Sequence, residues 1–434
     1  MRSRWDDKAA AEAVAHYGAA GVSEDLALRT YSARLLGADP AIVLHGGGNT
    51  SVKTTACDLF GDEIEVLCVK GSGWDLASIE PPGHPAVRLE PLMRLRDLER
   101  LSDEDMVNVQ RANLLDSTAP NPSVETLLHA FIPEKFIDHS HATAILALAD
   151  QPDAERVIEE VFGGRVACVP YVMPGFDLAL RAGNAWRDDI EGIVLINHGL
   201  FTFGETARQS YERMIDLVSV AEAAIAARPA LRPAAAQSAA PAAQVLPVLR
   251  GVLGQGWILD LRDGPQVMAV ANDQRLADWA VRGVATPDHV IRTKRQPLVL
   301  APPAGDLAAW REAAVAALGA FASDYRAYFK RHQARTGRPL TMLDPDPRVI
   351  ALPGLGLVAV GRTAAEAAVA GDIAQAWADT LLAAEAVGEY RPLGEADTFD
   401  MEYWSLEQAK LGKRTARRLE GKVVVVTGAG GAIG

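Results

Sequence analysis

Two histidines one residue apart, His139 and His141, stand in the run Phe136-Ile137-Asp138-His139-Ser140-His141. In an extended strand residues i and i+2 share a face. The two imidazoles would therefore project side by side, as a divalent metal needs. A third histidine, His198, ends another apolar run, Ile193-Val194-Leu195-Ile196-Asn197-His198-Gly199. Three imidazoles with an open fourth position make a typical catalytic zinc site. Glu125, in Pro122-Ser123-Val124-Glu125, lies at the start of the helix expected before the histidine pair. A glutamate beside a metal can move a proton during chemistry; an acid in a first helical turn can equally serve the helix dipole.

Two further segments suggest an anion. His45-Gly46-Gly47-Gly48-Asn49-Thr50-Ser51 follows an apolar stretch, and Lys70-Gly71-Ser72-Gly73 ends another. Glycines let backbone N–H groups approach an anion closely, and Asn49, Thr50, Ser51 and Ser72 add donors. Together with the three histidines, the loops read as a phosphate cradle around Gly48, Gly71 and Gly73. Neither loop fits GxxxxGK[ST], so a nucleoside triphosphatase is not supported.

The elements that must position these residues alternate along the first half. Ser23 to Leu36 reads as a helix with Ser23 as N-cap. Ala41–Leu44 and Glu63–Val69 read as short strands, Ser123 to Phe131 as a helix, Ile193–Asn197 as a buried strand and Ala207 to Ala227 as a long helix. His129, four residues after Glu125, is expected to support the site or the core. The class is α/β or α+β.

At 434 residues the chain is too long for one ordinary core. Residues 1–228 form the expected catalytic domain, and 229–244, rich in alanine and proline, a linker. Residues 245–395 partly repeat the first domain. Ile193–Ala207 (IVLINHGLFTFGETA) overlays Ile350–Ala364 (IALPGLGLVAVGRTA) with seven of fifteen positions identical and no gap. Leu355 replaces His198, and Val290–Arg295 is expected to occupy the place of the histidine pair, so the second domain should hold no metal. Residues 396–420 read as a connecting helix. Residues 421–434 (GKVVVVTGAGGAIG) read as a strand entering a glycine-rich turn, the opening of a dinucleotide-binding unit. Thr427, Gly428 and Gly434 would begin an NAD loop that is incomplete here, so NAD is expected only with a full-length protein.

The net charge of −13 argues against nucleic acid and anionic membranes as partners. Three cysteines in no metal or disulfide pattern, no secretory signal and no long apolar run point to a reduced, cytoplasmic protein.

The ordered motifs GNTS (Gly48–Ser51), KGSG (Lys70–Gly73), SxE (Ser123–Glu125), HSH (His139–His141) and NHG (Asn197–Gly199) resemble class II zinc aldolases of the fuculose- and rhamnulose-phosphate type, over residues 25–225. The tail YWSLEQAKL followed by TGAGGAIG resembles the junction in bifunctional proteins that join such an aldolase to a short-chain dehydrogenase. Ala432 stands where that family's TGxxxGxG has its middle glycine. The resemblance implies an aldolase-like sheet flanked by helices, followed by a degenerate second copy. It implies zinc or another divalent metal on His139, His141 and His198, with Glu125 as acid/base. Asn49, Ser72 and Ser123, with the glycine backbone, would hold a substrate phosphate. A tyrosine from a neighbouring subunit often donates a proton in such enzymes; no motif places it here. A homo-oligomer is implied. The implied reaction is reversible cleavage of a ketose 1-phosphate, such as L-rhamnulose 1-phosphate, to dihydroxyacetone phosphate and L-lactaldehyde. Alternatives are a pentulose-phosphate 4-epimerase and a non-catalytic adducin-like interaction domain.

Overall fold

The computed structural model describes residues 1–229, 231, 235, 237–337, 339–409 and 418–431. They fall into two compact units: Met1–Leu231 with Ala285–Pro287 and Ala383–Leu393, and Arg232–Val284 with Asp288–Leu382 and Gly394–Gly434. The architecture is α/β in both.

The first unit is built on seven strands: β1 (Asn49–Cys57), β2 (Glu63–Val69), β3 (Ala86–Arg88), β4 (Phe136–Ser140), β5 (Val166–Val169), β6 (Gly192–Leu195) and β7 (Gly199–Gly204). Their order is β3-β2-β1-β4-β7-β6-β5. All pairs are antiparallel except β5–β6, which are parallel. A parallel pair needs a crossover, and the Phe176–Ala185 helix lies in that connection. β4 is central and buried along its whole length. Ser23 Oγ accepts from Leu26 N at 3.3 Å to start the Glu24–Gly37 helix. Thr206 caps the Ala207–Ala226 helix in the same way. Ile145, Leu148, Val194, Leu200, Met214 and Leu217 share one core cluster, which joins helices to sheet.

Two local expectations change. Ala41–Leu44 forms turns instead of a strand. Ile42 N and Val43 N both donate to Asp39 O, at 3.0 and 3.2 Å, so their backbone bonds are satisfied locally while the side chains still reach the core. The helix expected from Ser123 begins at Thr126, leaving Ser123–Glu125 as the turn before it.

The second unit contains β8 (Ile258–Arg262), β9 (Leu298–Val299), β10 (Val349–Leu352) and β11 (Gly356–Gly361), in the order β8-β11-β10-β9. Order and direction match β4-β7-β6-β5: one parallel pair at the edge, then two antiparallel pairs. The register matches as well. Ile193 pairs with Phe201 in β6–β7, and Ile350 with Val358 in β10–β11. Phe201 pairs with His139, and Val358 with Leu261. The strand in the place of β4 is therefore β8, and residues 258–272 (ILDLRDGPQVMAVAN) overlay 136–150 (FIDHSHATAILALAD) without a gap. This corrects the expectation for Val290–Arg295, where Val290–Thr293 is a short helix. Only three of those fifteen positions are identical, which hid the match from the sequence.

Within 396–420, two short helices, Glu395–Glu402 and Ser405–Ala409, replace the single connecting helix; residues 410–417 lie outside the described set. Part of the expected 229–244 linker also lies outside it, and the Ala242–Leu253 helix begins within that stretch. Val423–Val426 is not a strand: it is exposed, and no strand among the described residues pairs with it. No helix among the described residues is long and apolar enough to cross a membrane.

Candidate metal centre

The three histidines predicted to act together do meet. Alternation along β4 puts Ile137, His139 and His141 on one side and Asp138 on the other. His198 sits in the tight β6–β7 turn beside them. One ring nitrogen from each histidine lies within 4.8 Å of the others, and His141 Nε2 is 3.0 Å from His139 Nε2. Tetrahedral Zn–N bonds of about 2.0–2.1 Å separate ligand nitrogens by about 3.3 Å, so small side-chain movements suffice. His139 Nδ1 is 3.1 Å from Leu200 O and donates to it, which leaves Nε2 as the ligand atom. That second hydrogen bond, to a backbone carbonyl, is the usual way a ligating imidazole is oriented. Phe201 stacks on the His139 ring at 4.1 Å and fixes its plane. The donor set fits a divalent metal, and among the described residues it is the one such group of three.

The turn carrying His198 is shaped for the task. Asn197 adopts φ 56°, a left-handed conformation that asparagine tolerates better than most residues. Its Nδ2 donates to Asp150 Oδ1 at 2.9 Å and to Arg391 O at 3.1 Å, while Thr286 Oγ1 donates to His198 O at 3.1 Å. A Cβ on Gly199 would lie 2.3 Å from Ser140 O and 3.0 Å from the His139 ring, so only glycine lets the two strands close around the imidazoles.

Glu125 faces this trio. Its Oε2 is 3.5 Å from His139 Nε2 and its Oε1 is 3.5 Å from His198 Nε2. It is 7 % exposed, enough to meet a ligand yet largely withdrawn from water. Asn49 Nδ2 donates to Glu125 Oε2 at 2.6 Å and to Ser123 Oγ at 3.0 Å. Behind Asn49 stands His129. Its Nε2 bonds Asn49 Oδ1 and its Nδ1 lies 2.8 Å from Ser51 Oγ. Burial, then the nearby His139, Lys53 and Arg29, hold His129 well below the usual imidazole range, hence neutral. A neutral ring has one donor and one acceptor. Asn49 Oδ1 can only accept, so His129 Nε2 donates and Nδ1 accepts from Ser51. The relay turns the Asn49 amide group toward the carboxylate.

On the other side of β4, Arg29 pairs with Asp138, both fully buried. Arg29 also donates to Ser32 Oγ at 2.7 Å, and Ser210 Oγ donates to Asp138 Oδ2 at 2.6 Å. Burial pushes the Asp138 carboxyl up and the Arg29 guanidinium down, and their mutual attraction opposes both. The pair and its hydroxyl partners fasten the Glu24–Gly37 helix and the Ala207–Ala226 helix to the strand bearing His139. Neither Arg29 nor Asp138 stood out in the sequence; the one available signal was an acid inside a buried apolar strand.

The expected anion-binding residues separate. Thr50 and Ser51 are fully buried and committed to His84 Nε2 (3.0 Å) and His129 Nδ1, so they support the site from within. A Cβ on Gly48 would lie 2.6 Å from His139 O, and one on Gly71 would lie 2.7 Å from Pro120 Cβ, so both serve close packing. Gly71 N and Ser72 N donate to Gly83 O and Asn121 O, at 2.8 and 2.7 Å. Lys70 Nζ donates to Gly46 O at 2.7 Å and Gly48 O at 3.2 Å, tying the two loops together. Ser72 and Gly73 are exposed, and Ser123 is half-buried beside Asn49 and Glu125. Thr427 and Gly428 lie in an exposed turn of the second unit; Gly434 lies outside the described residues.

Comparison with known proteins follows the same division. Residues 30–225 match the class II aldolase and adducin N-terminal domain, and residues 240–411 match the class II aldolase second domain. The uncharacterized oxidoreductase YuxG of Bacillus subtilis (strain 168) is 34% identical over 424 residues, which are 93% of this chain and 61% of that protein. The chain thus spans about three-fifths of that relative's length. The N-terminal class II aldolase domain of a conserved protein from Thermoplasma acidophilum is 39% identical, covering 52% of this chain and 99% of its own, with a TM-score of 0.46. The L-fuculose-1-phosphate aldolase of Thermus thermophilus is 19% identical, covering 45% and 94%, with a TM-score of 0.31.

Proposed function

Because the chain belongs to the class II aldolase and adducin family, with both an N-terminal and a second domain, we propose that its first unit cleaves a ketose 1-phosphate reversibly by a metal-dependent aldol reaction. L-Rhamnulose 1-phosphate, giving dihydroxyacetone phosphate and L-lactaldehyde, is a substrate of the kind the resemblance implies. The observation that carries this reading is the Glu125 carboxylate, set 3.5 Å from ligand nitrogens of both His139 and His198.

A divalent ion held by His139, His141 and His198 would supply Lewis-acid polarisation of the substrate's carbonyl oxygen. Cleaving the C3–C4 bond leaves the electron pair on C3 of the three-carbon fragment, while the C4 hydroxyl gives up its proton to solvent and becomes the carbonyl of the aldehyde. Glu125 then moves the proton at C3, with its orientation fixed by Asn49. The relay from Ser51 through His129 keeps the Asn49 amide in place while the carboxylate changes charge. Ser72, Gly73 and Ser123 are the accessible residues for the substrate phosphate. The three imidazoles are neutral ligands and leave a full ionic charge to act on the substrate. No Schiff-base lysine is required.

The test is a product assay of the metal-loaded chain over phosphorylated and free ketoses. Dihydroxyacetone phosphate should form from a ketose 1-phosphate and vanish with a chelator. If it forms from none, and a pentulose 5-phosphate is instead interconverted with its 4-epimer, the aldolase reading is lost.

A further inference from the structure

The run Val290-Ile291-Arg292-Thr293-Lys294-Arg295 has no part in the chemistry above. In the second unit its end, with neighbouring residues, lines a small, partly open cavity. His289, Lys294, Arg295, Gln296, Ile373 and Trp377 are among its lining, and none of the lining residues is acidic.

Three observations point to an anion. Lys294 adopts φ 64° and ψ 170°, a region that is nearly glycine's alone. Such strain persists where the surroundings impose it, and it gathers at ligand clamps. Arg295 Nε is buried with no hydrogen-bond partner. Its Nη1 donates to Gln296 Oε1 at 2.8 Å, but Glu395 Oε2 is 3.9 Å from Nη2, and Glu395 Oε1 already serves Arg331 and His332. The guanidinium is thus a fork with a donor left over, and carboxylates and phosphates fit that fork. Lys294 Nζ is 3.7 Å from Glu402 Oε1 and stacks 4.1 Å above the Tyr325 ring, so its charge is held in place with only partial compensation. For the rest of a ligand there is an apolar wall: Trp377 Nε1 donates to Gly283 O at 3.1 Å, which pins the indole flat.

We infer that this cavity binds a small organic oxyanion, a carboxylate or phosphate ester, whose acid group engages Arg295 beside Lys294 and whose carbon skeleton lies against Ile373 and Trp377. The site belongs to the second unit and is independent of the metal chemistry of the first.

The experiment titrates the full chain with phosphoenolpyruvate, pyruvate and orthophosphate, read by calorimetry and by the thermal midpoint. Phosphoenolpyruvate should bind saturably, and whichever of the two simpler probes also binds identifies the preferred acid group. Arg295→Gln should weaken binding by about tenfold or more. Arg295→Lys, which keeps the charge and loses the fork, should weaken it less and serves as the comparison if the glutamine variant fails to fold. His139→Ala should bind the probes as the parent does, which separates this site from the proposed active site. The inference is overturned if none of the three probes binds, if a folded Arg295 variant binds as tightly as the parent, or if His139→Ala alone removes binding.

Discussion

The arrays β4-β7-β6-β5 and β8-β11-β10-β9 share order, direction and register, yet only the first holds a candidate metal centre among the described residues. By register, Leu261, Asp263 and Leu355 stand where His139, His141 and His198 stand. What is retained is the backbone. Gly354, at φ 85°, takes the left-handed position of Asn197, and Gly356 takes that of Gly199. A Cβ on Gly356 would lie 2.1 Å from Arg262 O, as one on Gly199 would meet Ser140 O, and Arg262 holds the place of Ser140. Asp150 and Asn272 both end the helix after the matching strand, and each bonds the turn residue opposite: Asp150 Oδ1 accepts from Asn197 Nδ2, and Asn272 Oδ1 from Gly354 N at 2.8 Å. The turn chemistry is therefore demanded by the fold and the imidazoles are not. Side chains at a strand end can change class as long as the backbone that closes the hairpin is kept.

The sharpest way to break this comparison is His139→Ala. Metal content should fall from about one ion per chain to none, and aldol cleavage to background. A metal ion retained at the same stoichiometry would show that the second array, or another site, also binds. Glu125→Gln should come next. It should leave metal content unchanged and lower kcat by about 10²–10⁴-fold, the range of a lost general acid or base; a kcat within a few-fold of the parent would remove Glu125 from proton transfer.

Smaller effects compare the arrays as scaffolds. Asp138 and Asp260 occupy the same register position, and both meet an arginine, but Arg29–Asp138 is fully buried while Arg262 and Asp260 are 27% and 33% exposed. Asp138→Asn leaves Arg29 buried without its counterion and should cost about 3–5 kcal/mol in denaturant unfolding. Asp260→Asn should cost no more than about 1 kcal/mol. Equal losses would mean that burial does not distinguish the two pairs.

The mildest change is Asp150→Asn, which writes the second array's residue into the first. Burial raises the Asp150 carboxyl well above its ordinary range, against the hydrogen bond from Asn197. A raised carboxyl favours folding below its unfolded pKa and loses that contribution as pH rises through the folded value. The asparagine does not titrate. The variant should match the parent near pH 4 and become the more stable of the two as pH rises toward 7, by urea midpoints at each pH. A parent that gains on the variant with rising pH would contradict the assignment.

Much of the first site was legible because its signals are local. The i, i+2 spacing of His139 and His141 needs only a strand, His198-Gly199 only a hairpin turn, and Glu125 only a turn before a helix. The anion loops were legible as loops but not in their roles. Thr50 and Ser51 look like ligand donors until β1 is seen to bury both between His84 and His129. The match between β4 and β8 was not legible either, since burial of a strand constrains which positions are apolar far more than which residues fill them. The short Val290–Thr293 helix, basic at its end, was a poor substitute for it.

The identities are written in the chain: three imidazoles, a carboxylate and the glycines, at spacings that strands and turns must honour. Their partners come from the closed fold. Arg29 meets Asp138, Asn49 meets Glu125, and Asn197 meets Arg391 across separations of 109, 76 and 194 residues. Local propensity carries no information about which buried donor will find which buried acceptor. That pairing is settled when the sheet closes, because each group withdrawn from water must then be satisfied by whatever the fold brings against it.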